Sequence, residues 1–139
     1  MRRATTAIEM LVVLSMIALV IGIATPTFGR LRDGIAVRNA TAEALSAFTL
    51  ARRSAIVRAS RASLSIDQPP GYITLTVGGE MLLQRDLEGI YGVSISSTRD
   101  STGYSPHGLG IGAANLTLVI GRGSVAETIF VSREGRVRR

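Results

Sequence analysis

The stretch "TTAIEMLVVLSMIALVIGIATPTF", residues 5–28, decides how this chain is read. No charge interrupts it from Met10 to Ala24, and Ala7 to Ala24 spans 18 residues with Glu9 as the one acid. At ~1.5 Å rise per residue that is roughly 27 Å of helix, close to the hydrocarbon thickness of a bilayer. Arg2 and Arg3 precede it, so the positive-inside tendency leaves the N-terminus in the cytoplasm and sends the rest across. A secretory signal peptide would have a shorter apolar core followed by a small-x-small cleavage site. Here "GIATP" is a poor version of such a site, and the run continues to Phe28. An ordinary signal anchor fits the length but gives no reason for Glu9. A carboxylate inside a membrane costs about 2.5–3.5 kcal/mol near the helix centre and less towards the ends, so it is read as a functional residue with a partner.

The whole chain has 139 residues, enough for one domain and an appendage. Hydrophobic residues make up 46%, and the excess is concentrated in the first thirty positions. Net charge is +6, and all 16 basic residues are Arg. There is no Cys, which excludes disulfides and thiolate–metal sites, and a lone His107 excludes a multi-histidine metal site.

Beyond the apolar run an amphipathic helix is expected to continue to about residue 62. Leu31, Ile35, Ala42, Leu45, Phe48, Ala55 and Ala59 fall at three-, four- or seven-residue steps and form one apolar stripe. Arg38, Glu43, Arg52, Arg53, Arg58 and Arg61 occupy the other faces. The pattern then changes to period two. Residues 64–66, 72–77, 81–85, 91–96, 116–120 and 128–132 read as strands, separated by "QPPG", "GG", "STGYSPHGLGIG" and "GRGS". One long helix followed by hairpins predicts an α+β fold, with the helix laid across one face of an antiparallel sheet.

Seventeen positions separate Glu9 from Pro26. With "IEMLVVLSMIALVIGIATPTF", this spacing resembles the class III leader and first helix of type IV pilins and type II secretion pseudopilins. The resemblance implies a pilin-like fold. It also implies a leader, residues 1–4 ("MRRA"), cut by prepilin peptidase between Ala4 and Thr5, with methylation of the new N-terminus at Thr5. Ala4 stands where that family nearly always has Gly, and Thr5 where it has an apolar residue. Cleavage would create an α-ammonium four residues from Glu9. In a bundle of such helices the Glu9 carboxylate of one subunit can neutralise the N-terminus of its neighbour, which turns a costly charge into a register pin. Pro26 removes one backbone hydrogen bond and lets the helix kink.

"ARRSAIVR" (51–58) and "IFVSREGRVRR" (129–139) resemble the group containing the type II secretion minor pseudopilin H and the FimT-like pilus proteins. The loop 99–115 reads as the variable part. FimT-like members bind DNA during natural transformation through a Gly-Arg-x-Arg tail, which Gly135, Arg136 and Arg138 match, with Arg139 adding a further charge. If 136–138 are extended, Arg136 and Arg138 point to one face. The alternative is a solvated basic edge that blocks edge-to-edge sheet pairing. No aromatic residue interleaves the tail to stack bases.

"GLGIGA" (108–113) lacks the Gly-Lys-Ser/Thr signature and the strand-to-helix setting of a nucleotide loop, so it reads as a flexible loop. His107 has no triad spacing and reads as a surface residue. No catalytic constellation is found, and neither a cofactor nor a metal is expected. The expectation is a non-enzymatic minor pseudopilin of the type II secretion system with three segments: leader 1–4, transmembrane and filament-core helix 5–28, and periplasmic domain 29–139. It would span the inner membrane once. Its expected partners are other minor and major pseudopilins, the inner-membrane assembly platform and the prepilin peptidase/methylase. A DNA-binding minor pilin is the alternative.

Overall fold

The computed structural model describes residues 6–111 and 115–139, and of residues 24–27 only the backbone. The chain divides into two units, Met1–Arg32 and Asp33–Arg139. Helix α1 (Ala7–Val57) opens in the first unit and closes in the second. It is followed by β1 (Ala62–Asp67), β2 (Tyr72–Val77), β3 (Glu80–Asp86), a short α2 (Leu87–Tyr91) and β4 (Ser94–Ser97). After these come β5 (Ser101–Tyr104), β6 (Gly110–Ile111), β7 (Leu116–Arg122), β8 (Val125–Val131) and β9 (Val137–Arg138).

In the second unit the strands form two antiparallel sheets, ordered β3-β2-β1-β5-β6 and β4-β7-β8-β9. This is the expected α+β arrangement, except that the single sheet is split in two. Alternation explains which faces turn inward. Leu64 and Ile66 of β1, Ile73 and Leu75 of β2, Leu118 and Ile120 of β7, and Ile129 of β8 are all buried in one core.

The helix face over that core differs from the expected stripe. Val37, Ala40, Thr41, Ala44, Ala47, Phe48, Ala51, Ser54 and Ala55 are buried, at three- and four-residue steps. Of the stripe, only Phe48 and Ala55 are fully buried and Leu45 is half-buried, while Leu31, Ile35, Ala42 and Ala59 are exposed. The physical reason is size. Alanine lets a helix lie close on strands, so the packed face is the one rich in small side chains, and Leu31 and Ile35 are left outside.

The helix also stops at Val57, short of residue 62. Ala59 takes a left-handed conformation (φ 47°), its N–H donates to Ile56 O at 3.2 Å, and the Ser60 N–H donates to Ala55 O at 3.1 Å. That pair of bonds is a Schellman closure built on Ala where Gly is usual.

Two further readings are corrected. Residues 91–96 are not one strand, because Asp86 caps α2, its Oδ1 accepting from the Gly89 N–H at 2.6 Å, and left-handed Gly92 ends it. The segment 99–115 is not merely a loop, since β5 pairs with β1 inside the first sheet and buries Thr102 and Tyr104. "GLGIGA" is likewise packed at its start. A Cβ on Gly108 would lie 2.8 Å from Ile56 Cδ1, and Gly110 pairs in β6. Gly112 and Ala113 lie outside the described residues.

Candidate functional sites

Three places carry the candidate residues. At the start of α1, Thr6 is the N-cap and Glu9 the third helical residue. The Thr6 N–H donates to Glu9 Oε2 at 3.1 Å and the Thr6 hydroxyl donates to the same oxygen at 3.3 Å. The Glu9 N–H in turn donates to Thr6 Oγ1 at 3.4 Å. This is a reciprocal capping box, and the negative charge also sits at the positive end of the helix dipole. Its sequence signal is Thr-x-x-Glu ahead of an apolar run. Beside Glu9, the side chains of Ile8, Val12 and Val13 line an open apolar groove.

From Ile8 to Ile23 every large apolar side chain is about half exposed or more, from 48% at Val12 to 72% at Ile8. This helix is long and apolar enough to cross a membrane. Ser15, the polar residue in mid-run, donates its hydroxyl to Leu11 O at 2.8 Å, so its polar group is satisfied within the helix. The backbone stays helical through residues 24–27, which include Pro26. Ala4 and Thr5, the expected cleavage and methylation positions, lie outside the described residues.

The second place is the C-terminal hairpin. Its turn is closed by the Gly135 N–H donating to Ser132 O and by the Ser132 N–H donating to Arg136 O, both at 2.8 Å. Gly135 has φ 80°, and a Cβ there would lie 2.6 Å from Tyr104 Cε1. Only glycine fits both the backbone and the ring. Burial raises the Tyr104 phenol above its ordinary value of 10.0, offset in part by Arg52. Gly135 thus has a structural role, and it sets where the arginines emerge.

Val137 pairs with Val131 and packs against the core, so Arg136 and Arg138 stand on the opposite, outer face. Arg138 sits opposite Phe130, and Phe130 opposite Thr117, on that same face. Phe130 is 52% exposed. Together Arg136, Arg138, Phe130, Thr117 and Asn115 line a groove of about 480 Å³. Arg139 belongs elsewhere, because it forms an ion pair with Glu127 that anchors the chain end. Arg136 has an exposed ion pair with Glu134 at 3.5 Å. Among the described residues Arg138 has no ion pair. Sequence reading missed Phe130 because it reaches the tail across a strand pair, not along the chain.

The third place is a polar clamp within the second unit. Glu43 on α1 accepts from the Tyr91 hydroxyl at 2.5 Å and pairs with Arg85 at 2.9 Å. The hydrogen bond to Glu43, followed by burial, raises the Tyr91 phenol above its ordinary value. Arg122 of β7 pairs with Asp33 at 3.0 Å and donates to Tyr91 O. These contacts tie α1 to both sheets and hold α2 in place. His107 is exposed on the β5–β6 loop. Among the described residues no cluster of three or more acidic or His side chains could hold a metal.

No protein-family model matches the chain, and no curated protein matches it. Two crystal forms of the type IV minor pilin FimU from Pseudomonas aeruginosa share its architecture. They superpose with TM-scores of 0.62 and 0.60 at 14% identity, over 73% of this chain and 86% and 90% of theirs. At that identity the likeness speaks to architecture: the chain has the pilin-like fold, a long N-terminal helix whose second half packs on antiparallel sheets.

Proposed function

We propose that the chain is a non-enzymatic minor subunit of a pilus-like filament, and more narrowly a minor pseudopilin of the type II secretion system. The observation that carries this reading is the exposed apolar run Ile8–Ile23 with one acid at its start, on a pilin-like fold. Such a run is soluble only in lipid or among like helices, and a filament core supplies the second. Glu9 docks the subunit through a neighbour's N-terminus, and the folded domain faces the periplasm. Prepilin peptidase cuts after Ala4 and the methylase modifies Thr5. The inner-membrane platform then raises the subunit into a bundle with other minor and major pseudopilins. Intact mass of the membrane-extracted protein tests this: loss of Met1–Ala4 plus one methyl group supports it, and a full-length monomer overturns it.

A second reading, a minor pilin that binds DNA, is favoured by the groove in which Arg136 and Arg138 meet Phe130. Deleting the chain separates the two. A secretion subunit leaves cargo stranded in the periplasm with DNA uptake intact, and a DNA receptor gives the reverse.

A further inference from the structure

We infer that the groove between β8, β9 and the end of the tail is a single-strand platform, with Phe130 stacking an unpaired base while Arg136 and Arg138 hold the flanking phosphates. The inference rests on the DNA-binding reading and names the form of nucleic acid that the same site takes.

Phe130 places an aromatic ring on the outer sheet face, with Thr117 opposite it on β7, Val119 diagonal to it, and Thr128 and Ala126 further along β8. It is 52% exposed and lies outside the buried core cluster. Its nearest charged neighbour across the strand pair is Arg138, and residues paired this way have Cβ atoms roughly 4.5–5.5 Å apart. An arginine over a ring both attracts its π-face and leaves donors free for an anion. Arg136 stands two residues earlier on the same side, roughly 6.6 Å along the strand at ~3.3 Å per residue. That spacing is close to the distance between successive phosphates of an extended nucleic acid strand.

Charge alone would suit any polyanion, so the ring decides the class. In a duplex the faces of the bases are already stacked on each other and Phe130 would have nothing to cover. An unpaired base offers a free face, and stacking of this kind is tolerant of sequence. The groove encloses about 480 Å³, and Thr117 and Asn115 in its lining offer hydrogen-bonding groups. Gly135, pinned on Tyr104, fixes the turn from which both arginines leave, so the platform is held in shape before binding.

The test uses the full chain in nonionic detergent micelles and fluorescence anisotropy with three labelled probes. These are a short oligothymidylate, a duplex of equal length, and an abasic strand carrying the same phosphates. The expected result is that oligothymidylate binds at least about fivefold tighter than either other probe. Phe130→Ala should erase that preference and leave weak, salt-sensitive binding, whereas Phe130→Tyr should retain it. With two phosphates held, the logarithm of the binding constant should fall by roughly 1.4 per decade of salt. The double change Arg136→Ala and Arg138→Ala should flatten that slope. Equal binding of all three probes, tighter binding of the duplex, or no effect of Phe130→Ala would overturn the platform and leave a DNA-binding tail standing. No binding of any probe at low salt would remove both.

Discussion

One helix lives in two environments, and its halves use hydrophobicity in opposite ways. From Ile8 to Ile23 the apolar residues are mostly large and exposed, with Thr6 and Glu9 bonded to each other at the entry and Ser15 bonded to the helix backbone. From Val37 to Ala55 the buried residues are mostly alanine, with Phe48 the one bulky aromatic among them. The lesson is that apolar bulk marks the half awaiting lipid or another helix. Apolar smallness marks the half already packed.

Truncation should separate the halves most sharply. Phe48→Ala opens a cavity in the core and should cost about 3–5 kcal/mol in denaturant unfolding of residues 33–139. Leu14→Ala, in the full chain, should leave the unfolding of the same domain within about 0.5 kcal/mol. Equal effects would erase the distinction. Enlargement gives the next effect in size. Ala47→Leu should overpack the helix–sheet contact by about 1–3 kcal/mol, whereas Ala42→Leu on the exposed face should be close to neutral. Ala59→Gly should do the reverse and stabilise by about 1 kcal/mol, because glycine carries no penalty in the left-handed turn that ends the helix.

Alkaline pH offers a gentler probe of the packed half. The chain has no Lys or Cys to mask the titration of Tyr104. Burial raises the folded-state value of Tyr104, so its neutral form is favoured in the folded chain. The associated stability is whole below about pH 10, the unfolded value, and is lost as pH rises from there through the higher folded value. Melting temperatures of residues 33–139 should therefore fall above about pH 10, and less steeply in Tyr104→Phe. An equal fall in both would assign the loss to another group.

Much of this was legible from local pattern. The long apolar helix and the alternation of 72–77 both rest on local pattern, which survives without knowledge of tertiary contacts. What escaped was set by packing at a distance. The stripe through Leu31 and Ile35 ranked residues by bulk, while close approach of the sheets selected Ala40, Ala44 and Ala51. Strand β5 was hidden inside a Gly- and Ser-rich segment because Thr102 and Tyr104 gain their meaning from pairing with β1. At the tail, Arg136 and Arg138 were visible, but Phe130 joins them only through the β8–β9 register, and Arg139 leaves them for Glu127. At the entry, the Thr6 capping box gives Glu9 a local partner three residues away.

That local partner makes a clean experiment possible, since glutamine can complete a capping box but carries no charge. The decisive measurement is disulfide-free cross-linking of membrane-embedded wild-type, Glu9→Gln and Glu9→Ala chains to neighbouring filament subunits. If Glu9 docks by neutralising a neighbour's N-terminus, both variants should lose cross-linked assemblies to a similar degree. Glu9→Gln assembling as wild type, with only Glu9→Ala failing, would reduce Glu9 to a helix cap and contradict the docking account.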